Sequence, residues 1–444
     1  MAKWLRTIIT DCLPADAHIH CRSRGILRQV DSRRFPSHTA SDTSMRITKP
    51  QIEHSGDLAT YKVSVETRTG ANMLWYRVEG AHGHLLDDTT DAAVVALLLP
   101  AMATGEDLRI DGMVSARLLE NLPELQRVLK QIIPPLRVVQ FHAEAVHYGQ
   151  PRPTAGVATG FSGGVDSFCT LADYFYDHPP GPGRITHLLF NNVGSHEAGG
   201  ESLFRRRYRR LLPVASRMGL PLLVVNSNLD AFYGRRLSFQ QTHTLRNASV
   251  ALLLQRGLSS WLYASGIPDQ DAFVGPAPDL SYSDSVTLPL LSTETLHTAS
   301  VGGCYSRVEK TQHIADVQDS FDSLDVCVSP YHDGIPTNCS ACFKCLRTLA
   351  TLEIGGLLDR YARVFDRARY RRLRDGYLAG LSTSEDPCAK EVVRFAEQRQ
   401  LALPVNSLWR SIRFQVLRRW NSVHDRLLGP LKHRRRARAL RGAA

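Results

Sequence analysis

The stretch GFSGGVDSFCT, Gly160 to Thr170, decides how this chain is read. The residues before it, TAGVAT, suit a short strand, and those that follow, VDSFCTLADYF, suit a helix. Between them, Gly163 and Gly164 let the backbone approach a ligand and tolerate positive φ. Ser162 and Ser167 offer hydroxyl groups beside Asp166. A helix opening at Val165 presents free N–H groups and the positive end of its dipole. Together these features make an anion site of the kind that cradles phosphate. The plainer alternative is a tight turn with an Asp/Ser helix cap.

Working outward, the chain after GQPRPTAG (149–156, a linker by composition) alternates short apolar strands with amphipathic helices. Strands are expected at 156–161, 185–192, 221–227 and 260–266, and helices at 165–176, 201–218, 242–257 and 306–316. That alternation predicts an α/β fold with a parallel, doubly wound sheet covered on both faces. Ligands bind such sheets beyond the carboxyl ends of the strands. The loops after Phe161, Asn192, Asn226 and Gly266 should therefore share one mouth.

The rest of the chain reads differently. Residues 1–45 look like an irregular arm. Residues 46–150 read as a separate α+β domain: TYKVSVETRT and MLWYRVEG as strands, DAAVVALLLPAMATG as a buried helix stopped near Pro100 and Gly105. A further helix, SARLLENLPELQRVLKQI, is open to interruption at Pro123, and PPLRVVQFHAEAV closes the domain as a strand. The domain that carries the glycine turn and the later cysteines then spans 151–355, and 356–444 is helical and basic. No apolar run approaches the roughly 18–20 residues of a membrane span. The N-terminus lacks the apolar core of a secretory signal, so a cytoplasmic, membrane-free protein is expected. The net charge of +11 is partly local, in FRRRYRR (204–210), RARYRRLR (367–374) and KHRRRARALRGA (432–443). The basic tail suits nucleic acid or an acidic protein partner.

Four of the nine cysteines crowd together as Cys327, Cys339, Cys342 and Cys345. Two-residue gaps gather thiolates around one ion, and four sulfurs suit structural zinc. An iron–sulfur cluster or a redox set would use the same residues. His332 lies within the loop they span. Cys304 is expected as a lone thiol near the mouth and Cys169 as a core-facing residue of the first helix.

The loop is not the P-loop of kinases and GTPases, which needs Lys-Ser/Thr after its second glycine. Ser-Gly-Gly-x-Asp-Ser resembles the signature of the PP-loop ATP pyrophosphatases. That resemblance implies a HUP/adenine nucleotide alpha hydrolase-like sheet and cleavage of ATP between its α and β phosphates. Ser162, Gly163, Gly164, Val165, Asp166 and Ser167 would line the phosphate site, with Mg²⁺ as counter-ion to the leaving pyrophosphate. A PP-loop followed by this cysteine spacing resembles 7-cyano-7-deazaguanine synthase, which adenylates its substrate with ATP and brings in ammonia. By that comparison Arg246 and Asn247 of TLRN are site residues. Lys310 of SRVEKTQHIAD approaches the phosphates or the adenylate as a catalytic residue beside Asp166 and Ser167. Asn191 and Gly266, at strand ends, complete the expected ATP-binding set.

The resemblance covers about 156–355. The segment 267–300 departs from the synthase's substrate loop, and Asp269 and Asp284 are loose counterparts of its acidic positions. The chemistry therefore transfers, while the acyl substrate, small or macromolecular, stays open. The related synthase suggests a homodimer. The expected activity is an AMP-forming, carbon–nitrogen ligase. A tRNA-modifying PP-loop enzyme (thiolase or lysidine-type ligase) is the first alternative, and a non-catalytic nucleotide-binding scaffold the second. Ala2, not a cysteine, follows Met1, so free ammonia or a partner would supply the nitrogen.

Overall fold

A computed structural model describes residues 44–150, 156–195, 200–234, 237–328 and 336–404. The expected arm up to residue 43, His332 and the basic tail 432–443 lie outside these residues. The first half carries β1 (Ser44–Ile47), β2 (Gln51–Ser55), β3 (Leu58–Thr67), β4 (Gly70–Glu79), α1 (Asp91–Thr104), β5 (Asp107–Ser115), α2 (Ala116–Ile132) and β6 (Phe141–His147). The second half begins with β7 (Gly156–Gly160), α3 (Val165–Leu171), β8 (His187–Asn192), α4 (Glu201–Met218), β9 (Leu222–Ser227), α5 (His243–Leu253) and β10 (Leu258–Ala264). It continues through α6 (Asp284–Thr287), β11 (His297–Val301), α7 (Arg307–His313), α8 (Phe343–Ile354), α9 (Arg367–Leu381) and α10 (Pro387–Gln398).

Among the described residues eleven strands join one sheet, in the order β11-β10-β7-β8-β9-β4-β3-β1-β5-β6, with β2 paired to β3. The five strands from β11 to β9 are parallel. Their order reverses at β7, whose neighbours are β8 on one side and β10 on the other. Alternate residues feed the two faces. Leu189, Leu223, Val225 and Trp261 enter the core shared with α1, α2 and α5. Leu188, Phe190, Leu222 and Leu262 enter the core shared with α3, α4 and α8. Burial on both faces explains the unbroken apolar runs of these strands. The arrangement is compatible with a doubly wound α/β fold.

Residues 46–150 share their sheet and their core with the rest of the described chain. The described residues belong to one compact unit. β4 pairs antiparallel with β9 through Tyr76–Ser227 and Arg77–Asn226, so the sheet passes from one half into the other. A single apolar core runs from Met45 through α1 to Trp261. Polar bonds cross the same boundary. Buried Asp91 accepts from the Ser115 N–H at 2.8 Å and from Gln255 Nε2 at 2.9 Å. Tyr76 Oη lies 2.8 Å from Ser249 Oγ.

Two prolines are also accommodated rather than breaking their helices. Pro100 sits inside α1, which runs on to Thr104 and ends on Gly105 at φ 73°. Proline supplies no N–H to the carbonyl four residues back. Here the hydroxyl of Tyr233 donates to that Ala96 carbonyl at 2.7 Å, so the buried oxygen keeps a partner. Pro123 lies on the exposed side of α2, which continues through it to Ile132. Strands β1, β2, β5 and β11 add to those the sequence pattern predicts.

Candidate functional site

The glycine loop lies where the strand order reverses. β7 ends at Gly160, and the Phe161 N–H still donates to Leu189 O at 2.8 Å before the chain turns away from the sheet. Gly163 has φ 74° and packs so closely that a Cβ would meet Leu211 at 3.0 Å and the Ser323 carbonyl at 3.3 Å. Its carbonyl accepts from the Asp325 N–H at 2.7 Å. Conformation and closeness both demand glycine there. Gly164 caps α3, and the Ser167 hydroxyl donates back to the Gly164 carbonyl at 3.0 Å. Ser167 is buried and stiffens the turn, whereas Ser162 is exposed at its tip.

Asp166, in the first turn of α3, meets two cations of α7. Arg307 Nη1 lies 2.8 Å and Lys310 Nζ 3.2 Å from its Oδ1. Burial alone would raise the Asp166 pKa, but the two cations, Arg307 foremost, hold it below the ordinary carboxylate value. Lys310 is 2% exposed. Its ammonium also donates to the Ser265 carbonyl at 2.6 Å, at the end of β10. Arg307 Nη2 reaches the Gly266 carbonyl at 3.3 Å. α7 is aimed by a capping box in which Ser306 and Glu309 bond each other's backbone N–H groups. Asp166, Lys310 and Gly266 are thus brought together. Arg307, three residues before Lys310 on the same helix face, is a site residue that the motif comparison misses. The i, i+3 spacing of two cations behind Ser306 is the available signal.

A second polar group lines the same end of the sheet, on the α5 side. Asn191 Nδ2 donates to Asn247 Oδ1 at 3.0 Å, and Asn247 Nδ2 to the His243 carbonyl at 2.8 Å. His243 lies between Tyr263 Oη at 2.7 Å and Asp279 Oδ1 at 3.0 Å. Burial would raise the Asp279 pKa, but the bond from His243 brings it below its usual value. Burial holds the Tyr263 phenol well above 10. Asp284 is 1% exposed and accepts from Thr244 Oγ1 at 2.7 Å, while its Oδ2 has no partner among the described residues. Burial pushes its pKa up to about 6. Nothing in the sequence joins His243, Tyr263 and Asp279, which lie on three different elements.

Arg246 does not reach open space. It is 2% exposed, stacks 3.7 Å from the Tyr233 ring centre, and pairs with Asp230 at 2.7 Å and the Val193 carbonyl at 2.8 Å. It organises the turns after β8 and β9. Asp269 packs against Gly303, where a Cβ would meet its Oδ1 at 2.0 Å, and Cys304 beside it is exposed.

The four cysteines converge as expected. Their sulfurs lie within 4.8 Å of one another, and the Cys339 and Cys345 sulfurs are 3.8 Å apart. Zinc–sulfur bonds of about 2.3 Å in a tetrahedron require sulfurs about 3.8 Å apart. The Cys339 and Cys342 N–H groups donate to the Cys327 and Cys339 sulfurs at 3.4 and 3.2 Å. Hydrogen bonds with Cys327 lower the Cys339 and Cys342 pKa values and raise that of Cys345. The donor set can hold a metal such as zinc. The segment just before it, through Asp325, braces the glycine loop.

No family model, curated protein or solved structure matches this chain.

Proposed function

We propose that this protein is an ATP-dependent, AMP-forming ligase that adenylates a carboxylate or amide and then transfers nitrogen to it. The proposal includes a HUP-like nucleotide fold and activity like that of 7-cyano-7-deazaguanine synthase. The observation that carries it is the glycine loop at the strand-order reversal with Asp166, Arg307 and Lys310 gathered beside it. In this reading the loop N–H groups and Ser162 would hold the β and γ phosphates, and bound Mg²⁺ would offset the charge of the leaving pyrophosphate. An oxygen of the acyl substrate attacks the α-phosphorus, and the bond to the bridging oxygen breaks to release pyrophosphate. Arg307 and Lys310 neutralise the charge gathering there, and Asp166 keeps both cations in place. Ammonia then attacks the activated carbon, loses a proton to solvent and expels AMP. Asn191, Asn247, His243 and Tyr263 face the position left for the acyl group and the adenine. The substrate class, small or macromolecular, belongs to the 267–300 loop.

One observation favours the RNA-modifying alternative. Arg206, Arg207 and Arg209 of α4 have no ion-pair partner among the described residues, and Leu211 of the same helix packs against Gly163. A basic face beside the loop suits a phosphate backbone.

The test is incubation with ATP, Mg²⁺, ammonium and a panel of carboxylic acids, with nucleotide products separated. AMP and pyrophosphate should form together. ADP and orthophosphate would refute the ligase. Steeply salt-dependent RNA binding, lost on changing the three α4 arginines to Gln, would move the substrate to RNA.

A further inference from the structure

The seam between α3 and α7 carries a second constellation that the proposed adenylation does not use. Asp166, Cys169 and Asp173 follow one another along α3 and its extension at spacings of three and four residues. Arg307, Lys310 and His313 follow at spacings of three along α7. The upper pairs make the ion cluster already described. Further along the seam, the Cys169 sulfur, an Asp173 carboxylate oxygen and a His313 ring nitrogen all lie within 4.8 Å of one another. Beyond Leu171 the helix widens into a π turn, with the Asp177 N–H bonding back to the Ala172 carbonyl at 2.8 Å. Such bulges gather at functional sites and turn a side chain out of the regular α register. Here the turn carries Asp173.

We infer that Cys169, Asp173 and His313 form a second metal site, separate from the four-cysteine cluster, for a borderline divalent cation of the zinc and cobalt class. One sulfur, one imidazole nitrogen and one carboxylate oxygen suit such ions and disfavour magnesium or calcium, which take oxygen ligands. The geometry is close to what an ion needs. His313 Nε2 and Asp173 Oδ1 are 2.8 Å apart. Metal–ligand bonds of about 2.0 Å place tetrahedral nitrogen and oxygen ligands about 3.3 Å apart. The contact therefore has to open by only about half an ångström, within the reach of two side-chain torsions.

The surroundings of a ligand set are also in place. Tyr305 Oη donates to Asp173 Oδ1 at 3.1 Å, and its ring stacks on His313 at 5.2 Å between centres, holding both groups. Supporting bonds of this kind orient metal ligands. Cys169 is 1% exposed, whereas the Asp173 and His313 side chains are 23% and 24% exposed, which leaves an entry path. Water fills a fourth position on the side that Asp173 and His313 leave exposed. An ion here ties α3 to α7 and so fixes the distance between Asp166 and its two cations.

The test counts metal in the full-length protein after equilibration with Zn²⁺ and removal of loosely held ion by a chelator of nanomolar affinity. His313→Ala should retain one ion fewer per chain than the unaltered protein, with an unchanged circular dichroism spectrum. Cys342→Ser should lose a different ion, additively with His313→Ala. Titration with Co²⁺ should show two visible spectra, and the one with weaker thiolate absorption should vanish in His313→Ala and in Cys169→Ser. Because His313 is partly exposed, its variant decides the matter if Cys169→Ser folds poorly. Equal metal content in the His313→Ala and unaltered proteins would overturn the site. The count does not depend on any ligase activity.

Discussion

Asp284 gives the sharpest test of how the polar group around His243 is built. Its carboxyl is buried, one oxygen has no partner among the described residues, and burial pushes its pKa from 3.8 up to about 6. A carboxyl whose pKa is higher in the folded than in the unfolded chain binds protons more tightly when folded. Folding stability must then fall as pH rises from the unfolded value to the folded one and stay level above it. At about 1.36 kcal/mol per pH unit, the rise from 3.8 to about 6 amounts to about 3 kcal/mol lost at neutral pH. Asp284→Asn keeps the shape and an acceptor for Thr244 but cannot ionise. It should match the parent near pH 4 and exceed its stability by up to about 3 kcal/mol near pH 7. Urea unfolding followed by fluorescence at several pH values measures this. An Asn variant less stable than the parent near pH 7, or a difference independent of pH, would refute the reasoning. If Asp284 also serves the reaction, turnover should fall while stability rises, as expected of a carboxylate kept under strain for function.

Other perturbations follow from the same geometry. Lys310→Met removes one of the two cations paired with Asp166 and should lower ligase turnover by about 10²–10³ with little change in KM, measured as AMP release. Cys342→Ser should release the metal held by the cysteine cluster and lower the melting temperature by several degrees, since metal affinity is part of folding free energy. An unchanged melting curve would show that the cluster is not structural. Tyr233→Phe strands the Ala96 carbonyl and should cost about 1–3 kcal/mol, a loss that shrinks in the Pro100→Ala background because an alanine there restores the missing N–H. Equal costs in the two backgrounds would show that the hydroxyl does not replace the helix bond.

Much of the fold is legible in the sequence because it follows from local pattern. The run of strands β7, β8, β9 and β10 shows as apolar segments, each buried on both faces and bounded by amphipathic helices. Gly163 and the capping residues of the loop show because backbone geometry restricts residue choice there. β11, reading HTASV, does not, since one face carries only Thr298 and Ser300 and the strand pairs along a single edge, with β10. The union of the two halves is hidden as well. It rests on two register pairs between β4 and β9 and on buried bonds such as Gln255 to Asp91, none of which leaves a periodic trace. In the site, motif residues on one segment are legible. Contacts that join distant segments, such as His243 to Asp279 or Asp166 to Arg307, depend on the tertiary fold.

The position of α7 connects these parts. Its first turn receives the carboxylate of Glu391 from α10 on the Val308 N–H at 3.2 Å, a negative group at the positive end of a helix. Its middle presents Arg307 and Lys310 to the loop, and its last residue presents His313 to Cys169 and Asp173. A helix of this length is unstable alone. It holds its place because α8 and α10 bury Val308 and because bonds at both ends fix its axis. The C-terminal helices therefore act on the site through α7. They set where α7 lies, and α7 sets where the two cations meet the phosphate loop. Motion of α7 by about an ångström would stretch both Asp166 contacts beyond hydrogen-bond distance, so braces at its start and end serve the geometry in the middle.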